Sequence, residues 1–166
     1  MVRLKLLFGA VTACAALIVA PFARSNPIVL WNASPSVPIG LYVIERRSPG
    51  YGEVAVLKPP EWASTIADQR RYLPTTALLL KPVAAGEGDI VCRFGWHVFV
   101  NGELRAKALA LDKMKRPLPS WRGCLKLSSG QIFVLSKRKD SFDSRYFRIV
   151  EKRQVLGTGR LIFSGR

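Results

Sequence analysis

Apolar positions along the chain repeat in three ways, and each predicts a different element. Residues 6–22 run without a charge behind a short flank carrying Arg3 and Lys5, and seventeen residues is the lower edge of a membrane-spanning helix. Further on, short stretches at 41–44, 53–57, 90–94, 96–100 and 103–106 alternate or cluster apolar residues as strands do. Residues 28–31 read as a short strand or as a continuation near the membrane interface. Residues 131–135 form a buried-strand run, and 146–150 with 154–163 are expected to close the sheet. Residues 77–83 are apolar except for Lys81. Helical spacing in the soluble part is confined to 61–73, through Trp62, Ile66 and Leu73, after Pro59-Pro60 and before Pro74.

Proline, glycine and asparagine mark the breaks. Pro35 and Pro38 exclude a helix or a central strand over 32–40. Residues 48–52 and 86–89 read as turns, Asn101-Gly102 as a hairpin turn, and 108–129 and 136–145 as irregular loops. The fold class is therefore mainly β, a β domain with one short helix preceded by an N-terminal transmembrane helix. Length agrees, since 166 residues suit one domain. The expected division is a cytoplasmic flank at 1–5, an anchor or signal segment at 6–23 and a periplasmic domain at 24–166.

The N-terminal segment has three readings: an uncleaved anchor, a secretory signal cut near Ala23, or a lipoprotein signal at Cys14. Pro21 fits the second poorly, and the apolar residues after Cys14 disfavour the third. All three send the domain out of the cytoplasm with the basic flank left inside. Lys and Arg number 26 against 11 Asp and Glu, a formal charge of +15, which suits an anionic partner. Export selects inner-membrane anionic lipid over nucleic acid. Export also leaves Cys92 and Cys124 as the candidate disulfide, two buried free thiols being the alternative. Two cysteines and one distant histidine give no metal-ligand spacing, and no cofactor is expected.

A serine nucleophile needs a base to take its proton. His97, the one histidine, lies in an alternating strand with no accompanying Ser or Asp motif and reads as an ordinary strand residue. A lysine serves instead if burial strips its charge, and Lys81 sits between Leu78-Leu79-Leu80 and Pro82-Val83-Ala84. An outward edge-strand lysine is the structural alternative. Ser34 and Ser36 stand two apart in a proline-stiffened loop closed by Gly40, so that one can attack while the other donates to a developing oxyanion. In the later loop, Asp143 and Arg145 read as an ion pair supporting the site, with Ser141 near the lysine amine.

Taken in order, these pieces resemble the type I signal peptidase family. Ser34-Pro35-Ser36-Val37-Pro38 resembles its nucleophile box, and Ser36-Val37-Pro38-Ile39-Gly40-Leu41-Tyr42 is nearer the form found in the conjugative-transfer peptidases called TraF. Residues 51–56, 80–89 and 143–147 resemble the following strand, lysine and final boxes. Val37 replaces the methionine of general signal peptidases, Ser136-Lys137-Arg138-Lys139 lacks their Gly-Asp-Asn-Arg segment, and Arg148 stands where glycine is frequent. The resemblance implies Ser36 as nucleophile, Lys81 as general base, Ser34 and the Ser36 amide as oxyanion hole, Ser141 orienting the lysine, and Asp143 with Arg145 as support. It further implies a serine endopeptidase at the inner membrane that processes an exported precursor, a pilin subunit in a conjugative secretion machinery. The alternatives are a housekeeping signal peptidase and a non-catalytic basic scaffold of an envelope secretion complex.

Overall fold

Stretches rich in Val, Ile and Leu, bounded by Gly and Pro turns, become strands that pair with their sequence neighbours. The computed structural model describes residues 28–165. The expected anchor at 6–23 and its flank lie outside the described residues, among which no helix is long and apolar enough to cross a membrane. The strands are β1 (Ile28–Asn32), β2 (Gly40–Glu45), β3 (Val54–Leu57), β4 (Leu79–Ala85), β5 (Ile90–Phe94), β6 (His97–Val100), β7 (Glu103–Lys107), β8 (Gly123–Lys126), β9 (Gln131–Val134), β10 (Val150–Glu151) and β11 (Val155–Ser164). Helix α1 (Glu61–Gln69) joins β3 to β4, and the single turn α2 (Ser144–Phe147) precedes β10.

Two antiparallel sheets result. One has seven strands in the order β1-β2-β11-β3-β4-β9-β10, and the other has four in the order β7-β6-β5-β8. Strand β4 lies in the interior of the larger sheet, between β3 and β9, with Ala55 opposite Lys81 on one side and Val83 opposite Val134 on the other. Its residues are buried on both faces apart from half-buried Pro82, so water has little access to the strand. Ala84, Ala85 and Phe133 pack with Val91, Val98 and Val100, joining the two sheets through one core. A second cluster gathers Ala55, Leu79 and Phe147 beneath α1.

Three expectations change. The stretch 108–129, read as loop, contains β8, which pairs with β5 so that Cys92 faces Cys124. Residues 146–150, read as strand, begin inside α2, because the Asp143 side chain accepts from the Arg145 N–H and caps a helical turn. Helix α1 ends at Gln69, with Arg71 at φ 57°, and not at Leu73. Its buried face is Ala63 and Ala67 while Trp62 stays 46% exposed, since small residues let the helix approach the sheet closely.

Candidate active site

The loop between β1 and β2 is held from both ends before any chemistry is considered. Asn32, the last residue of β1, is buried; its Nδ2 donates to Ser34 O at 2.7 Å and Pro38 O at 3.0 Å, and its Oδ1 accepts the Ser34 N–H at 3.1 Å. Tyr42 OH donates to Pro38 O at 2.8 Å. With Pro35 and Pro38 limiting the backbone, the loop has little freedom left. Ser34 and Ser36 hydroxyls lie 3.1 Å apart, and the Ser36 N–H donates to Ser34 Oγ at 3.4 Å.

Strand β4 delivers Lys81 to this loop. Its Nζ donates to Ser36 Oγ at 2.6 Å and to Ser141 Oγ at 2.7 Å, and the two hydroxyls are 3.5 Å apart. The lysine is 4% exposed, which excludes the outward edge position. Burial, the largest influence, lowers its pKa from 10.5 to about 8, Asp143 and Asp140 acting to raise it and Arg145 to lower it.

Behind the amine sits a buried ion pair. Arg145 Nε and Nη2 donate to the two carboxylate oxygens of Asp143 at 2.8 and 3.0 Å, with side chains 2% and 0% exposed. The guanidinium also donates to Ser136 O at 2.7 Å and Lys139 O at 3.2 Å, and so holds the whole 136–145 segment against the sheet. From β5, fully buried Arg93 donates to the carbonyl of Arg145. Sequence reasoning missed Arg93 and Asn32. An asparagine opening a Ser/Pro loop is a turn signal that marks Asn32, whereas nothing local marks Arg93.

A cleft of about 680 Å3 opens beside the serines. Its lining is mostly apolar, with Leu73, Leu78, Leu79 and Phe142, and its charged residues include Arg71 and the pairs that Arg70 and Arg116 make with Asp112 and Arg138 makes with Asp140. Such a groove, with a hydroxyl and a buried amine at one end, has the shape and polarity to take an extended apolar peptide. The structure brings Ser34, Ser36, Lys81 and Ser141 into one hydrogen-bonded chain and sets Asp143 and Arg145 directly behind it. Cys92 and Cys124 are bonded in the other sheet, S–S 2.07 Å. His97 is exposed on β6. Among the described residues no group of three or more His, Cys, Asp or Glu could hold a metal ion.

The family model described as signal peptidase, peptidase S26, matches residues 1–164. A plasmid transfer protein TraF of Escherichia coli is 29% identical over 136 residues, covering 75% of this chain and 77% of that protein. A probable conjugal transfer protein TraF of Sinorhizobium fredii is 31% identical over 144 residues, covering 80% of this chain and 76% of that protein. Among solved structures, a signal peptidase I from Enterococcus faecalis covers 69% of this chain and 98% of its own at 19% identity, with a TM-score of 0.40, a likeness that adds nothing further. Since the model spans nearly the whole sequence and a relative shares almost a third of its residues over most of both lengths, the chain belongs to the signal peptidase family, peptidase S26.

Proposed function

We propose that this protein is a membrane-anchored serine endopeptidase of the signal peptidase type, with Ser36 as nucleophile and Lys81 as general base. Its substrate is an exported precursor, a pilin subunit of a conjugative transfer system, and the domain works on the periplasmic side of the inner membrane. Family membership supports the reaction class, the TraF relatives support the conjugative setting, and the basic flank before an apolar run supports the location. One observation carries the reading: a buried amine with a depressed pKa stands 2.6 Å from the Ser36 hydroxyl.

In the reaction, neutral Lys81 accepts the Ser36 proton on its lone pair while Ser141 holds one of its N–H groups. Ser36 Oγ attacks the scissile carbonyl carbon, and the negative charge that develops on oxygen meets the Ser34 hydroxyl and the Ser36 N–H. The C–N bond breaks, Lys81 returns the proton to the leaving amine, and an ester on Ser36 remains. Water then releases a linear product, or the substrate's own terminal amine releases a ring.

The test is incubation of the purified protein with a candidate pilin precursor beside its Ser36→Ala and Lys81→Met variants. Cleavage is expected with the wild-type chain and its loss with either variant; a variant that still cuts at the full rate would remove the dyad. Mass spectrometry separates the two products, because the ring is one water lighter than the linear cleaved chain.

A further inference from the structure

Ser136 follows β9, and all of its polar groups are engaged. Its N–H donates to Asp143 Oδ2 at 3.0 Å and its carbonyl accepts from Arg145 Nη2 at 2.7 Å, so both members of the buried ion pair grip its backbone. Its Oγ accepts from the Arg138 N–H at 3.2 Å and donates to the backbone carbonyl of Ser36 at 2.7 Å, across 100 positions of sequence. The residue is 4% exposed, so water does not compete for these bonds.

A hydrogen bond to the carbonyl of Ser36 fixes the peptide plane that follows it. The peptide that precedes Ser36 presents its N–H to Ser34 Oγ at 3.4 Å, and Ser34 is itself tied by its carbonyl and its N–H to Asn32. With both flanking peptides held, the direction of the Ser36 Cα–Cβ bond is set, and only the side-chain torsion is left for the contacts with Ser34 and Lys81 to choose. We infer that Ser136 is a positioning residue for Ser36: it transmits the rigid Asp143–Arg145 pair to the loop and so keeps the hydroxyl within reach of Lys81. The effect on rate rests on the peptidase reading above, whereas the effect on the loop does not. No motif carries this role, for Ser136 opens the segment in which the chain departs from general signal peptidases. It also gives the buried ion pair, which makes no hydrogen bond to Ser36 or Lys81, a route to the reacting hydroxyl.

Ser136→Ala and Ser136→Thr decide it, the second keeping a hydroxyl. Three quantities are read on each protein: kcat and KM for precursor cleavage across pH, the thermal midpoint, and amide hydrogen exchange over residues 33–40. Ser136→Ala should lower kcat about ten- to hundredfold with KM within about twofold, the cost of a misplaced nucleophile. The acid limb of its pH profile should stay in place because burial, the largest influence on the Lys81 pKa, is unchanged, and exchange in the 33–40 loop should accelerate while β4 stays protected. Ser136→Thr should recover both rate and protection. An alanine variant with kcat and loop exchange like wild type would overturn the inference, as would a threonine variant as slow as alanine at an unchanged thermal midpoint. If the wild-type protein cleaves nothing, the peptidase reading fails, and loop exchange in the same variants still decides whether Ser136 holds the loop.

Discussion

A lysine amine buried on a central strand must find a counter-charge or give up its proton. Asp143 is close enough to favour the charged form of Lys81, but Arg145 is bonded to both of its oxygens and opposes it, so burial prevails and the pKa falls to about 8. The ion pair thus supplies rigidity near Lys81 at little cost in basicity. Cleavage should therefore follow the neutral fraction of Lys81, falling about tenfold per pH unit below 8 and levelling above it, as a pH–rate profile will show. Stability carries the opposite side of the same effect. Between pH 8 and 10.5 the unfolded chain holds a proton that the native state has shed, so the fold gains stability as pH rises through that window. The cost below pH 8, roughly 3 kcal/mol from the fall in pKa, is offset in part by the amine's two hydrogen bonds. Lys81→Met should abolish cleavage and yet raise stability at pH 7 by about 1–2 kcal/mol, while removing the gain between pH 8 and 10.5. Urea melts of both proteins at pH 7 and pH 10 check this, and a methionine variant no more stable than wild type at pH 7 would argue against burial as the cause.

Strand β2 depends at its first residue on having no side chain. Gly40 pairs with Asn32 on β1 and with Ser164 on β11, and a Cβ there would come within 2.1 Å of Phe163 O and 2.9 Å of Leu161 Cδ1. The obstacle is backbone, which cannot swing aside, so Gly40→Ala must part β2 from β11 at the base of the Ser34–Ser36 loop. A loss of about 2–4 kcal/mol is expected, with a fall in kcat. Gly52→Ala, at φ +78° with nothing within 4 Å, should lose only the backbone strain of about 1–2 kcal/mol. Denaturant midpoints of the pair separate close approach from strain; equal losses would refute the clash. At this scale the sequence is a good guide where constraint is local. Alternation gave β2, β3, β5 and β6, and Pro35, Pro38 and Gly40 announced a fixed loop. It failed where a distant partner decides: β8 sits in a proline-rich stretch and is recruited by β5, and Tyr146-Phe147 has strand propensity that the Asp143 cap overrides. The candidate site divides in the same way. The residues proposed to react lie in recognisable boxes, but the grip of Asn32 on its loop and the buried link from Arg93 exist only once the chain has folded.

Seen whole, the molecule is two sheets sharing one core, with the candidate site supported from both. Arg93 and Cys92 are consecutive on β5 and so point to opposite faces. Arg93 goes inward, fully buried, to the carbonyl of Arg145, while Cys92 goes outward, half-buried, to exposed Cys124. The disulfide therefore braces the four-stranded sheet on the side away from the candidate site. Its two residues are 32 positions apart, and closing a loop of that length in the unfolded chain corresponds to about 3–4 kcal/mol in the chain-entropy account. Replacing both cysteines with serine should then lower the thermal midpoint by about 10 °C, given about 2–4 °C per kcal/mol for a domain of this size. Below the new midpoint kcat should be unchanged, because Arg93 still reaches α2 through the shared core. Melting curves of the wild-type and double-serine proteins, with and without reductant, test both halves of the expectation. Reductant should shift only the wild-type curve. A midpoint indifferent to both reductant and substitution would mean that the sheet is held by its core alone, and a loss of rate without a loss of stability would tie the outer face to the site.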